Sequence, residues 1–440
     1  MAIKVCKFGG TSMSNSASIR QVANIITSDV ERRFIVLSAP GKRNREDFKI
    51  TDKLYECYRT KCAVGTCHEP FQAIRDRFEE IVTSLKIKFD LKSVLDRTEQ
   101  EIDKSETPDF AASRGEYLSA LVMSKFLDYE FIDAAEIIRF NEDGTFDGDT
   151  TNEIASQRLA GVKEGIIPGF YGATESGRVV TFSRGGSDVS GSIIARAVCA
   201  DLYENWTDVS GFMSADPRII ENPKTIAQIS YQELRELSYM GANVLHPDAI
   251  FPVRISGIPI NIKNTFKPED KGTMIVPYSP FDYSNALVTG IAGKKDFSVI
   301  LIEKSMMNSE LGFARRILSV LEDFGVSFEH MPSGVDTISV VLATSALISK
   351  QDKIIAKITE AVSPDHVTVH HGLALIATVG HGMSAKVGTA SRVFTALAKS
   401  GINVRMIDQG SSEKNIIIGV ENTDYENSIK AIYNEFFGDK

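Results

Sequence analysis

The hydrophobic pattern at the start of the chain changes from strand spacing to helix spacing across a pair of glycines. The apolar positions of residues 3–8 predict a short buried strand, which Gly9-Gly10 ends. The apolar spacing from Ile19 to Ile26 then predicts a helix, with Ser14 or Ser16 as its N-cap.

Strands and helices are predicted to alternate over the next 180 residues. Apolar runs predict a strand over 34–41, which ends in a loop of small residues, and strands at 131–132, 166–170 and 178–182. Helical patterns predict four helices. The first is capped by Thr51-Asp52, the second extends over 71–102, the third begins near Asp109, and the fourth runs from Ser190 to Val198. This alternation predicts an α/β domain with a mostly parallel sheet flanked by helices.

The composition changes near residue 270, where segments rich in Pro, Gly and charged residues predict the end of the first domain. Beyond it, a strand–helix–strand–strand order occurs twice. The first copy has strands at 297–302, 326–328 and 338–342 and a helix opened by Gly312-Phe313; the second has strands at 373–380, 402–404 and 415–420 and a helix from Thr389 to Lys399. We therefore expect domains at 1–285 and 286–440, the latter with units at about 297–366 and 372–440, whose interleaving is left open.

Composition and charge exclude several classes of function. With 440 residues, 43% of them hydrophobic and 24% charged, the chain can bury a sizeable core. A net charge of −9 argues against a nucleic-acid or anionic-membrane surface. Because no run of eighteen apolar residues and no signal-peptide pattern occurs, we expect a cytoplasmic protein without membrane spans. The five cysteines fit reduced thiols, since the spacing of Cys57, Cys62 and Cys67 does not match zinc-ligand pairs.

The first glycine pair has the chemistry of an anion site. Backbone N–H groups of Gly9 and Gly10 can approach a phosphate closely, the following helix N-terminus favours negative charge, and Lys7 adds a full positive charge. The segment is not a Walker P-loop. A simple turn is the alternative interpretation.

A second glycine pair follows the strand predicted at 178–182. In Ser183-Arg184-Gly185-Gly186-Ser187-Asp188, the arginine can bind a carboxylate through two hydrogen bonds, and Asp188 can orient a cation. The alternative is a glycine turn with a surface ion pair.

Taken in order along the chain, these motifs resemble those of the aspartate kinases, which have the amino-acid kinase fold. The resemblance covers the whole chain. It rests on Lys-Phe-Gly-Gly-Thr-Ser at 7–12, Arg-Gly-Glu at 114–116, Ser-Arg-Gly-Gly-Ser-Asp at 183–188, Trp-Thr-Asp-Val-Ser-Gly at 206–211, Asp-Pro-Arg at 216–218 and Val-Leu-His-Pro at 244–247.

The resemblance implies transfer of the γ-phosphoryl group of ATP, with Mg²⁺, to the β-carboxylate of L-aspartate. This reaction is the first step toward lysine, threonine and methionine. Catalytic roles would fall to Lys7, Arg184 and Asp188; aspartate binding to Ser38, Thr51, Glu116 and Arg184; and nucleotide binding to Lys7, Gly9, Gly10, Ser12, Thr207, Asp208, Met213, Arg218 and Asn243. No protein metal ligands are expected.

Two positions depart from the family pattern. Met213 stands where similar enzymes commonly have Tyr, and Asn243 stands where they commonly have a nucleotide-contacting Lys. The loss of that charge bears on nucleotide affinity. The departure at Asn243 therefore leaves a catalytically weakened amino-acid sensor as an alternative function. Another amino-acid kinase is a further alternative.

The repeated C-terminal units resemble paired ferredoxin-like ACT domains, the amino-acid-sensing modules of aspartate kinases. The resemblance implies a homodimer or higher homo-oligomer that is inhibited by lysine, alone or with threonine. Residues 307–313 and 329–336 would line the binding site of the effector. A bifunctional aspartate kinase–homoserine dehydrogenase is disfavoured because the chain carries no dinucleotide-binding fingerprint.

Overall fold

The chain forms two compact units, each with its own sheet. The computed structural model describes residues 2–183, 185–242, 245, 250–277, 287–384, 386–410 and 413–438. The first unit comprises Met1–Phe212, Thr225–Leu234 and Asn243–Tyr278, and the second comprises Met213–Lys224, Arg235–Ala242 and Ser279–Lys440. The predicted boundary at 285–286 lies outside the described residues.

The first unit is built on a large, mostly parallel sheet. Its strands are β1 (Lys4–Phe8), β2 (Arg32–Leu37), β3 (Glu130–Phe131), β4 (Gly165–Pro168), β5 (Tyr171–Ala173), β6 (Val179–Thr181), β7 (Leu202–Thr207), β8 (Gln228–Ser230), β9 (Ile260–Asn264) and β10 (Thr273–Val276). Within the described residues the order is β3-β4-β2-β1-β7-β9-β10-β8, and β5 pairs with β6 in a separate hairpin. Every pair in the large sheet is parallel except β9–β10, which confirms the predicted fold class.

Helices cover this sheet and bury its apolar residues. They are α1 (Ser16–Thr27), α2 (Ile50–Val64), α3 (His68–Leu85), α4 (Leu91–Lys104), α5 (Pro108–Leu127), α6 (Ala134–Ile137), α7 (Gly148–Leu159), α8 (Gly186–Ala197), α9 (Tyr231–Tyr239), which continues into the second unit, and α10 (Phe251–Ile255). One core contains Phe8 and Trp206 with apolar residues of α1, α3 and α5. The Phe8 and Trp206 rings stack with centroids 5.8 Å apart.

Several predicted helix ends are wrong for local reasons. The N-cap of α1 is Asn15, whose side-chain oxygen accepts the Ser18 N–H, and neither Ser14 nor Ser16 takes this role. Helix α2 begins at Ile50, so Thr51 and Asp52 lie in its first turn. The helix predicted over 71–102 is two helices, because Lys86 takes a left-handed conformation at the end of α3.

The second unit is an antiparallel sheet covered by helices. Its elements are β11 (Gly290–Glu303), α11 (Phe313–Asp323), β12 (Thr337–Ala343), α12 (Thr344–Leu347), α13 (Gln351–Val362), β13 (His366–Val379), α14 (Thr389–Lys399), β14 (Met406–Asp408), β15 (Asn415–Glu421) and α15 (Tyr425–Phe437). The strand order within the described residues is β12-β11-β13-β15-β14. The helix predicted from Thr389 to Lys399 is α14, whereas the segments at 326–328 and 402–404 are not strands.

Strands β11 and β13 are long enough to serve two hydrophobic cores. Ile300 and Ile302 of β11 pack in one core with α11 and α13, while Ile291 of the same strand packs in the other with α14 and α15. The two strands pair along almost their entire length, with an irregularity near Phe297. The two cores of this unit therefore share strands.

None of the described helices combines the length and the apolar character that crossing a bilayer requires.

Candidate active site

Lys7 lies near the end of β1, in the middle of the large sheet, with its ammonium group directed at helix α8. Its Nζ is 2.5 Å from Oδ1 of Asp188, and only 8% of Lys7 is exposed. Asp188 lies in the first turn of α8, whose N-cap, Gly185, takes a left-handed conformation. The structure thus brings together one residue from each predicted glycine motif. Arg184, which precedes Gly185, lies outside the described residues.

The glycines after β1 allow three backbone segments to meet beside Lys7. The Gly9 N–H donates to the Trp206 carbonyl at 3.1 Å, and the Gly41 N–H donates to the Gly10 carbonyl at 2.8 Å. A Cβ on Gly41 would lie 2.7 Å from the Gly10 carbonyl carbon, so a larger residue there would push the two loops apart. Backbone contacts therefore fix the conformation of the glycine corner, which lies next to the buried ammonium group of Lys7.

The hydroxyl residues of this corner differ in their surroundings. The Ser12 hydroxyl is buried and lies 2.8 Å from the Thr265 hydroxyl. The preceding Thr11 side chain is exposed and donates to Asp208 Oδ2 at 3.3 Å. Thr207, at the end of β7, donates to the other carboxylate oxygen of Asp208 at 3.3 Å. Thr11 is thus an exposed hydroxyl of the corner that the sequence analysis did not single out.

Glu116 is a buried carboxyl group on helix α5, and one of its oxygens has no partner in the described part of the chain. Only 5% of the residue is exposed, and its Oε2 makes no hydrogen bond among the described residues. Burial raises the pKa of Glu116 to about 8, and the opposing effects of the Ala39 N–H and the Arg114 charge are smaller. This carboxyl group is suited to receive a cation that also brings hydrogen-bond donors.

Local packing explains why Glu116 lies where it does. A Cβ on Gly115 would be 2.7 Å from the Ala39 Cβ, so glycine allows α5 to approach the loop that follows β2. The neighbouring Arg114 guanidinium packs on the faces of Phe110 and Tyr117, 4.5 and 4.6 Å from their ring centroids. The Arg-Gly-Glu motif thus places a fixed cation near a carboxyl group at the edge of this loop.

The loop that holds Ser38 and leads to Thr51 is anchored by a buried arginine. The Ser38 N–H donates to the Phe8 carbonyl at 3.1 Å, which joins this loop to the end of β1. Arg77 donates to the Gly41 and Ser14 carbonyls, each at 3.3 Å, and to Asp47 at 2.6 Å. Arg77 therefore links the glycine corner to the loop between Ser38 and Thr51, a role that sequence spacing did not reveal.

The nucleotide-binding roles of all the predicted residues remain predictions. Met213 and Arg218 belong to the segment 213–224 of the second unit, where Arg218 binds Asp216 through several hydrogen bonds. The bond with Arg218 lowers the pKa of Asp216 despite its partial burial. Asn243 lies outside the described residues.

In the second unit, the two segments predicted to line an effector are hydrogen-bonded to each other. The Met306 N–H donates to Asp336 Oδ1 at 2.8 Å, and the Asn308 N–H donates to the Val335 carbonyl at 3.2 Å. Leu311, which lies between Asn308 and the start of helix α11, is 95% exposed. Met307 and Phe313 of these segments are buried in a core of the second unit, whereas Leu311 and Val335 are exposed.

Two cavities lie away from the residues described above. One, of 640 Å³, is bordered by α7, α8 and α10 in the first unit, and the other, of 390 Å³, lies on the sheet of the second unit. Neither is lined by Lys7, Glu116 or Asp188. The candidate active site is therefore recognised by the chemistry of its side chains.

A parallel sheet, two glycine corners and a buried lysine–aspartate pair define an amino acid kinase. The sequence profile of the amino acid kinase family matches residues 2–264, and that of an ACT domain matches residues 376–436. Aspartokinase 3 of Bacillus subtilis is 39% identical over 99% of both chains. The crystal structure of Clostridium acetobutylicum aspartate kinase superposes with a TM-score of 0.91 at 53% identity, covering 99% of this chain and all of that one.

E. coli aspartokinase III is a more distant structural relative. Its complexes with aspartate and ADP, and with lysine and aspartate, each superpose with a TM-score of 0.73, at 25% and 26% identity and over 99% of this chain and 100% and 99% of those chains. The chain belongs to the aspartate kinases of the amino acid kinase family. It is an aspartate kinase with ACT regulatory domains, as its motifs predicted.

Proposed function

We propose that the enzyme transfers the γ-phosphoryl group of ATP to the β-carboxylate of L-aspartate, giving 4-phospho-L-aspartate and ADP. Different residues of the first unit bind the two substrates. Lys7 and the glycine corner bind the phosphates, while Glu116, Ser38, Thr51 and Arg184 bind aspartate. The aspartate and ADP complex of E. coli aspartokinase III supports this choice of ligands.

The observation that carries this proposal is the unpaired Glu116 carboxyl oxygen. A buried acceptor without a donor costs about 1–3 kcal/mol, so a ligand that supplies the donor is favoured there. The α-ammonium group of an amino acid supplies both charge and donors. Arg184 would take the α-carboxylate, which leaves the β-carboxylate directed at the phosphates.

The reaction needs alignment and charge stabilisation more than proton transfer. The β-carboxylate is ionised at neutral pH, so it can attack the γ-phosphorus without a general base. An O–P bond forms to the β-carboxylate, and the bond between the γ-phosphorus and the bridging oxygen breaks, so that ADP leaves. Lys7 and the backbone N–H group of Gly10 stabilise the negative charge on the phosphoryl oxygens, whereas the Gly9 N–H is already bound to the Trp206 carbonyl.

Mg²⁺ fits this site as part of the nucleotide. Among the described residues, no group of three or more His, Cys, Asp and Glu side chains could hold a metal ion. Mg²⁺ commonly binds phosphates and water with one or two carboxylates, and Asp208, which accepts a hydrogen bond from Thr11, is a carboxylate beside the corner. The ion would neutralise phosphate charge. Thr207, Met213, Arg218 and Asn243 remain the proposed contacts of the nucleotide.

We further propose that L-lysine, alone or with threonine, inhibits the enzyme through the segments 307–313 and 329–336. The lysine complex of E. coli aspartokinase III supports an amino acid effector in this family. The exposed apolar side chains of Met306, Leu311 and Val335, which are 72%, 95% and 66% exposed, support burial against a second copy in a homodimer. The enzyme would act in the cytoplasm, at the first step toward lysine, threonine and methionine.

Hydroxamate formation from aspartate, hydroxylamine and MgATP tests the proposal, because hydroxylamine traps an acyl phosphate. We expect hydroxamate with L-aspartate and far less with L-glutamate or N-acetyl-L-glutamate. The Glu116→Gln variant should lose most of the activity at low aspartate concentration. No hydroxamate from the wild type with any of these acids would instead favour an amino-acid sensor without catalysis.

A further inference from the structure

Asp188 is held by strand β7 as well as by Lys7. Oδ1 of Asp188 accepts hydrogen bonds from Lys7 Nζ at 2.5 Å and from the Asn205 side-chain amide at 2.9 Å. Lys7 and Asn205 are directly paired residues on the neighbouring parallel strands β1 and β7, so their side chains leave the same face of the sheet. Two donors from adjacent strands therefore converge on one carboxylate oxygen.

Tyr203, two residues earlier on β7, fixes the backbone of Asp188. Its buried hydroxyl donates to the Asp188 carbonyl at 3.0 Å. A Cβ on Gly191 of α8 would lie 2.8 Å from the Tyr203 ring, so the glycine allows the strand and the helix to come this close. Strand β7 thus holds both the backbone and the side chain of Asp188.

We propose that Asn205 is a positioning residue of the phosphoryl-transfer site, which acts through Asp188. When the nucleotide binds, the Lys7 ammonium must turn from Asp188 toward the phosphoryl oxygens. The Asn205 amide, helped by the Tyr203 hydroxyl, keeps Asp188 in place during this exchange, so the carboxylate neither follows Lys7 nor swings toward the phosphates. This inference rests on the proposed role of Lys7 in phosphoryl transfer.

Asn205 is suited to this role because its amide donates a hydrogen bond without carrying charge. Asn205 is 3% exposed and directly follows Glu204, so two polar residues are adjacent in a buried strand. This pair of polar residues is the sequence signal by which Asn205 could have been identified. Glu204 extends to the opposite face, where the Arg32 guanidinium and the Trp206 indole N–H donate to it at 2.8 and 2.9 Å. Asn205 thus binds Asp188 on the face of the sheet that also carries Lys7, away from Glu204 and Arg32.

The test compares kcat and KM in Asn205→Leu, which keeps the volume of the side chain and removes its donor. We expect kcat to fall about tenfold, the effect of losing one hydrogen bond to a charged group. KM for aspartate should stay within twofold of the wild type. A parallel loss in kcat, aspartate binding and melting temperature would indicate a general packing defect and overturn the proposal.

Asn205→Asp gives a second readout that a packing role would not produce. The added carboxyl group would lie beside Asp188 and compete for Lys7, so kcat should be lowest at alkaline pH. It should recover as the pH falls and the carboxyl group is protonated. Other titratable groups near the pair are Tyr203 and Cys6, and burial raises the pKa of both well above the range of the assay. An unchanged shape of the pH profile would contradict the proposal.

Tyr203→Phe has a matched control in Tyr231→Phe. Both tyrosines are buried and donate to a backbone carbonyl, but Tyr231 binds Ile258, away from Asp188. We expect Tyr203→Phe to lower kcat about threefold and Tyr231→Phe to leave it unchanged. If Lys7→Ala is inactive while Asn205→Leu retains wild-type kcat, only the role of Asn205 is wrong. If Lys7→Ala retains activity, the proposed phosphate site itself is wrong.

Discussion

The two units place their charged and apolar side chains differently. In the first unit, Lys7, Glu116 and Asp188 lie between the sheet and its helices, held by glycine contacts and buried hydrogen bonds. In the second unit the cores are apolar, while Leu311 and Met306 project outward beside a hydrogen-bonded pair of turns. The difference suggests that the first unit carries a preorganised catalytic site, whereas the second presents a surface that a partner or effector completes.

The largest effect should come from removing the buried ammonium group of the first unit. Lys7→Ala should lower kcat by about two to three orders of magnitude, because the transferred phosphoryl group loses a charged donor. Lys4→Ala is the matched control, since Lys4 lies on the same strand and binds Asp29 and Glu31. Steady-state kinetics of both variants check this. A kcat for Lys7→Ala within tenfold of the wild type would be inconsistent with the site.

The next effect should come from the unpaired carboxyl group. Glu116→Gln should raise KM for aspartate about a hundredfold, the effect of losing one buried charge–charge contact. Glu233→Gln is the control, because Glu233 is equally buried but accepts hydrogen bonds from Ser230. An unchanged KM in Glu116→Gln would remove Glu116 from the substrate site.

The same substitution should change stability in a pH-dependent way. Because the pKa of Glu116 is raised from 4.5 to about 8 in the folded state, the native protein binds more protons between these values, and stability falls as the pH rises through them. Glu116→Gln should therefore gain about 3 to 4 kcal/mol over the wild type between pH 5 and pH 8. Chemical denaturation at several pH values measures this gain, and a pH-independent difference would contradict it.

A smaller effect is expected on the exposed side of the comparison. Asp336→Ala removes the acceptor of the Met306 N–H and should release the turn proposed to bind the effector. The lysine concentration for half inhibition should rise about tenfold while kcat stays unchanged. Asp143→Ala, which removes a similar turn contact with the Thr145 N–H in the first unit, should leave inhibition unaltered. Equal inhibition of the two variants by lysine would show that this turn does not contribute to regulation.

The smallest effect concerns the helix that follows the glycine corner. Asn15→Ala should lower the free energy of unfolding by about 1 kcal/mol, because the Ser18 N–H loses its cap, while kcat changes little. Ser16→Ala should have a smaller effect. Denaturant titrations of both variants decide between the observed cap and the one expected from the sequence, and a larger loss in Ser16→Ala would favour the latter.

Local chemistry predicted much of the first unit and missed what depends on distant contacts. The strand before Gly9 and the helix carrying Glu116 follow from apolar spacing and glycine, which are local signals. The contacts of Asn205 and Arg77 could not be predicted, because each joins residues far apart in the sequence. The wrongly predicted strand at 402–404 has the same origin, since pairing with β15 places the strand at Met406–Asp408 instead.

Calorimetric titration of aspartate into the ADP-bound enzyme near neutral pH tests the central claim most directly. If the Glu116 carboxyl group is protonated when empty and ionised when it binds the α-ammonium group, binding must release close to one proton. The observed enthalpy should then differ between phosphate and Tris buffers in proportion to their ionisation enthalpies, and this difference should vanish in Glu116→Gln. Equal enthalpies in both buffers for the wild type, with tight binding, would contradict the account.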